Sequence, residues 1–186
     1  IRDRLHPAHH FRIHLWDGKK PARALSSAAV LHQTAPAIAH MWHMSGHIYD
    51  KLKRYSESAY HQEASARMDH SKQSEFQVLP DRIHNYAHNN EWLVRNWNHI
   101  GRVNSAITIS KGLIDNPQHP KLNHYGKGYS SSAFGRKRLI ETLERYEKWD
   151  LILELSKTHY LEPTNDEKLQ SERMLCLLYT SPSPRD

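Results

Sequence analysis

The chain of 186 residues has a single cysteine, at position 176, where it opens the terminal stretch CLLYTSPSPRD. Residues 1–175 therefore offer no disulfide framework, no thiolate zinc site and no cysteine nucleophile. Glycine is scarce, with 7 residues, and alternating β-branched runs are scarcer, which argues against strands and hairpins. No apolar run approaches the length of a membrane span, and no signal peptide is visible. The G-x-S-x-G elbow, the P-loop and the Gly-rich dinucleotide fingerprint are all missing, so no catalytic residue is assigned on motif grounds.

The tail from Cys176 to Asp186 resembles the translation of a transposase-type sequencing-library adapter along its full length. It is set aside from fold reasoning for that reason. The chain also opens at Ile1 without a Met. It is thus expected to be an internal piece of a longer protein, with residues 1–175 forming one helical domain. An exported protein and a cytoplasmic one both suit so cysteine-poor a sequence.

The formal charge is +6, and the tail does not alter it, since it holds one Arg and one Asp. Lys and Arg are scattered, as at Lys19-Lys20, Lys51 to Arg54 and Arg136 to Arg138, with acidic residues interleaved. No basic stripe forms, so solvated helix faces are expected in place of a nucleic-acid surface. What the chain has in abundance is histidine: 16 residues, all before Cys176.

Apolar periodicity predicts an all-α fold, with helices over 7–16, 21–33, 37–52, 56–70, 82–99, 103–115, 130–146, 149–158 and 166–175. Asp81 reads as a helix start, Pro36 as a first-turn proline, and Thr164 with Glu167 as a capping box. Pro21, Tyr55, Val103 and Trp149 align as turn plugs, at steps of 34, 48 and 46 residues. Three residues after each plug stand Ala24, Ser58, Ala106 and Ile152; four further on stand Ala28, Gln62, Ser110 and Ser156. A small residue at a crossing lets two antiparallel helices approach, and a 34-residue step is the tetratricopeptide period. The pattern predicts an antiparallel helix-hairpin solenoid of about four hairpins, with longer connections than usual.

Longer strings carry a family resemblance: HPAHHFRIHLWD at 6–17, APAIAHMWHMSGHIYDKLKRY at 35–55, PDRIHNYAHNNEWL at 80–93 and LERYEKWDLILEL at 143–155. They resemble bacterial tetratricopeptide-repeat proteins that carry an H-x-P-[SG]-H-I-[FY] motif. Here that motif reads His43-Met44-Ser45-Gly46-His47-Ile48-Tyr49, with Ser45 where proline is usual. The chain is expected to be a helical-repeat scaffold module that binds a protein, peptide or small polar ligand, or alternatively a histidine-rich metal- or cofactor-binding enzyme domain. Some similar proteins carry a redoxin-like domain elsewhere in the chain; no C-x-x-C stands here.

The histidines fall at helical spacing. His40, His43 and His47 are i, i+3, i+7; His10 and His14 are i, i+4, with His6 a turn back; His84 and His88 are i, i+4. Three readings stay open. The rings are hydrogen-bonding packing residues, or they line a groove for a peptide or small polar ligand, or they bind a divalent metal. The groove is expected to use His10, His14, His43, His47, Tyr49, His84, His88, Asn89 and Trp92, with Trp42 and Tyr86 nearby. The candidate metal ligands are His10, His14, His43, His47 and His88, because imidazole suits zinc, copper, iron and nickel. Asp17, Asp50 and Glu91 are the carboxylates within reach in sequence. His84-Asn85-Tyr86-Ala87-His88 departs from H-E-x-x-H at Asn85, so no metallopeptidase is expected. Trp97, Phe134, Tyr146 and Trp149 are expected in the core. If the histidines share a face, protonating them builds repulsion there. The unfolding midpoint should then fall between pH 7.5 and pH 5.5, and an unchanged midpoint contradicts the clustering.

Overall fold

The computed structural model describes residues 6–80 and 83–180, apart from the side chains of His6 and His84. Among the described residues the fold is all-helical, with nine α-helices and no strand beyond an isolated bridge between His119 and Asn123. The helices are α1 (His6–Trp16), α2 (Leu25–Thr34), α3 (Ala39–Lys51), α4 (Tyr55–Phe76), α5 (His84–His99), α6 (Val103–Asp115), α7 (Ser131–Arg145), α8 (Trp149–Leu155) and α9 (Glu167–Thr180). A short 3₁₀ turn, Pro21–Ala24, leads into α2. Each helix packs on the next in chain order, and α1, α3, α5 and α7 also pack on one another in succession.

Three of the hairpin turns are built alike. Lys53, Gly101 and Glu147 each adopt a left-handed conformation, at φ 59°, 77° and 51°. The residue after each returns its N–H to a carbonyl five residues back: Arg54 to Tyr49, Arg102 to Trp97 and Lys148 to Leu143, at 2.9–3.0 Å. This is the Schellman closure, which satisfies carbonyls that the helix end would leave orphaned. The next helix then starts at Tyr55, Val103 or Trp149, the plug positions read from the sequence. The crossing residues behind them, Ala24, Ser58, Ala106 and Ile152, are all buried.

The apolar core is split along the chain into three clusters. Ile13, Leu31, Met44 and Ile48 join α1 to α3; Ala59, Leu93, Val94 and Trp97 join α4 to α6; Leu139, Leu143, Ile152 and Leu161 gather around α7 and α8. Between the first two clusters the α3–α4 contact is polar. Ser58 Oγ donates to the Gly46 carbonyl at 2.9 Å, and Ser65 Oγ donates to the Ala39 carbonyl at 2.7 Å. Hydroxyls bonded to backbone take the place of bulk, so the helices lie close.

Several sequence expectations shift. The third helix starts at Ala39, so Pro36 lies outside it; the Pro36 carbonyl accepts from Trp42 Nε1 at 2.9 Å. The last helix is capped by Asp166, whose Oδ1 accepts from Leu169 N–H at 3.0 Å, and not by Thr164. The Asp side chain stands one residue before the helix and reaches its first turn directly. Helix α4 runs past residue 70 to Phe76 and ends where Gln77 turns left-handed. Asp81 lies outside the described residues. Helix α9 extends to Thr180, into the tail set aside on sequence grounds. Cys176 is buried there, and its thiol donates to Glu144 Oε1 at 2.8 Å. Burial, with Glu144 beside it, pushes that thiol up to about 12. Of the expected core aromatics, Trp97 is buried, while Phe134, Tyr146 and Trp149 are half-buried. No helix among the described residues is long and apolar enough to cross a membrane.

The shared turn makes a sign prediction. A β-carbon in the left-handed region costs on the order of 1 kcal/mol. Lys53→Gly and Glu147→Gly should each raise stability by about 0.5–1 kcal/mol, and Gly101→Ala should lower it by a similar amount. Urea unfolding checks this; one sign for all three substitutions contradicts the common turn.

Candidate functional site

The helices that stack in succession carry the histidines. α1 brings His10 and His14, α3 brings His40, His43 and His47, and α5 brings His88. Helical period places each set on one face of its own helix, and packing then brings the faces together. Two groups result. His43, His47 and His88 each offer a ligand-type nitrogen, and these atoms lie within 4.8 Å of one another; so do those of His10, His14 and His40. The expected five ligands therefore divide between two groups, and His40 joins them. Its i, i+3 spacing from His43 is the sequence signal that pointed to it.

The first group is the more enclosed. His43 is buried, and His47 and His88 are half-buried. Gln62 of α4 reaches across to His43, placing Oε1 2.7 Å from Nδ1, while Gln62 Nε2 faces the His43 carbonyl at 3.4 Å. Gly46 makes that reach possible: a β-carbon there would lie 2.4 Å from Gln62 Nε2. The Gln62 oxygen accepts, so His43 carries its proton on Nδ1 and its Nε2 bears a lone pair. Burial first, then the neighbouring His47 and His88, hold the His43 pKa well below the usual imidazole range, so the ring is neutral.

His47 is fixed by Asp17, whose Oδ2 lies 3.4 Å from its Nδ1. The hydrogen bond to His47 lowers the Asp17 pKa. The Nε2 atoms of His43 and His47 are 2.8 Å apart. Two lone pairs at that distance repel unless something positive lies between them. A proton on His47 Nε2, donated to the His43 Nε2 lone pair, satisfies the contact, and so does a metal ion. His88 places Nδ1 3.8 Å from Glu91 Oε1, and its ring lies 4.7 Å from that of His43. Arg138 anchors Glu91 from α7, with Nε 2.7 Å from Oε2. Trp92 covers His47 at a ring distance of 4.3 Å.

The remaining sequence-selected residues lie around these groups or face elsewhere. Tyr49 stacks on His61 at 5.0 Å, and His61 meets His32 at 4.8 Å, a second imidazole pair apart from the two groups. Burial first, with His32 beside it, pushes the His61 pKa down to about 4. Trp42 packs on His32 at 4.4 Å. Asn89 is buried and donates to Asp69 Oδ2 at 2.7 Å. Asp50 pairs with Arg95 at 3.0 Å. His84 opens α5, and its side chain lies outside the described residues. Gln62 has no chemical signature in the sequence, where it stands at a repeat position otherwise held by Ala or Ser. A cleft of about 500 Å³ is lined by Pro80, Ile83, Ala87, Tyr129 and Ser131 and by no histidine of either group. No family model, no curated protein and no solved structure matches the chain.

Asp69 gives this region a measurable pH signature. Burial pushes its carboxyl up to about 6, with the Asn89 hydrogen bond opposing. A folded-state pKa raised above the unfolded value favours folding below about pH 4 and loses that contribution as pH rises through 6. Asp69→Asn removes the buried charge and should stabilise the fold by about 1–3 kcal/mol at pH 7.5. Its advantage over the parent should close toward pH 4. Urea midpoints of both chains across that range test it; a constant difference contradicts a buried, raised Asp69.

Proposed function

We propose that the chain is a tetratricopeptide-like stack of helix hairpins that binds one divalent ion of the zinc class at His43, His47 and His88. The observation that carries the metal reading is the convergence of His43, His47 and His88, whose ligand-type nitrogens lie within 4.8 Å of one another, with Gln62 directing the His43 lone pair toward the group. Ligating imidazoles characteristically donate their other N–H to a carboxylate or carbonyl, which fixes the ring and raises its basicity. Gln62 fills that role for His43, and the carboxylates of Asp17 and Glu91 stand 3.4 Å and 3.8 Å from Nδ1 of His47 and His88. Metal binding requires neutral rings, and the depressed His43 pKa provides one before any ion arrives.

Three neutral imidazoles leave the ion its full charge and leave a coordination position for water or a ligand. The stack reading is supported by the three like turns and by the successive packing of α1, α3, α5 and α7. It agrees with the bacterial family that the sequence resembles, and in that reading the ions sit along the first helices of successive hairpins.

A second reading keeps the scaffold and drops the metal. His47 then donates from Nε2 to His43 Nε2, and the Trp92 ring packs against a peptide or small polar ligand.

The test is titration of chelator-stripped chain, purified without an affinity tag, with Zn(II) and with Co(II). Sub-micromolar uptake is expected. His47→Ala or His88→Ala should weaken it by more than about 100-fold, and Gln62→Ala by about 10–100-fold. Parent chain that takes up neither ion at micromolar concentration overturns the metal reading in favour of the polar-ligand groove.

A further inference from the structure

We infer a second, more open metal site at His10, His14 and His40, independent of the first and suited to Cu(II). His10 Nε2 lies 3.1 Å from His40 Nε2 and 3.0 Å from His14 Nε2. The three rings come from α1 and α3, with ring centroids 4.6–6.4 Å apart.

Hydrogen bonding does not account well for this arrangement. One His10 nitrogen has a single in-plane position, used either as an N–H donor or as a lone-pair acceptor. It therefore forms one good bond, yet two Nε2 atoms approach it at bonding distance. An ion bound near all three nitrogens uses three lone pairs at once and needs no donor. Helical spacing supports the geometry: His10 and His14 stand one turn apart, a standard separation for two ligands on one helix.

The donor set differs from that of the first site. His14 is exposed, and His10 and His40 are half-buried. Asp17, the carboxylate on that side, is engaged by His47. An all-imidazole set open to water binds divalent ions in the Irving–Williams order, with Cu(II) tightest. Its openness admits the square-planar arrangement of Cu(II), with water completing the plane. The two sites also share α3, where His40 and His43 stack at 6.1 Å. Two dications that close repel, so the sites should fill one after the other, the enclosed site first.

Cu(II) titration of the tag-free apo chain, read by bound stoichiometry and by the nitrogen hyperfine pattern in paramagnetic resonance, tests this. Two ions per chain are expected, the second bound more weakly. His10→Ala with His14→Ala should leave one tight ion, and His14→Gln alone should weaken only the second ion, by about 10-fold or more. His88→Ala should leave one ion in a three-nitrogen environment. Helicity by circular dichroism establishes that each variant folds. One ion in the parent, unaffected by either α1 variant, overturns the second site and leaves the first standing. One ion lost with the α1 histidines but indifferent to His88→Ala overturns the first site and keeps the second.

Discussion

The close packing of α3 against α4 is the constraint on which the rest depends. Gly46 leaves a gap that a β-carbon would close, and Gln62 fills it with its carboxamide. That one side chain joins two helices, fixes the tautomer of His43 and so sets the direction in which its free lone pair points. Ser58 and Ser65 hold the same contact through backbone carbonyls, which lets the two helix backbones lie close along the seam. Apolar clusters on either side carry the hydrophobic stabilisation. The polar seam carries the geometry.

Histidine suits this seam because it is both a packing residue and a ligand. A neutral imidazole has an apolar body, one donor and one acceptor, so it tolerates half-burial when both nitrogens find partners. Here the Nδ1 atoms of His43, His47 and His88 face Gln62, Asp17 and Glu91, and nitrogens of neighbouring rings crowd one another. Crowded lone pairs are unfavourable alone and favourable around a cation. The same enclosure that depresses the His43 pKa removes competition from protons, so burial and metal affinity act in one direction. The two groups differ by their surroundings. One lies under Trp92 with carboxylates nearby, and the other faces water.

Much of the fold was legible because its signals are local. The plugs Tyr55, Val103 and Trp149 begin helices where the repeat alignment placed them; their small partners Ser58 and Ala106 are buried, as is Ile152, which departs from the small-residue pattern. The left-handed turn before each plug was legible only at Gly101, since Lys53 and Glu147 carry no sign of a positive φ. Capping was misread at Thr164 because two acceptors compete within three residues, and Asp166 stands closer to the first turn. Tyr49 and Asn89 lie on the right helices but turn to His61 and Asp69, which sit on α4. Their partners are 12 and 20 residues away along the chain, beyond any local period.

By itself the sequence determined that the chain is helical, that its histidines fall on single helix faces, and that small residues mark the helix crossings. Each of these follows from a repeat of 3.6 residues, which any stretch of chain carries within itself. Only the tertiary structure decided which faces meet. It divided the three histidines of α3, sending His40 to α1 and His43 with His47 to α5, and it brought Gln62 to the centre of the first group. Those pairings depend on how neighbouring helices cross, and a crossing is set by the packing of both partners at once.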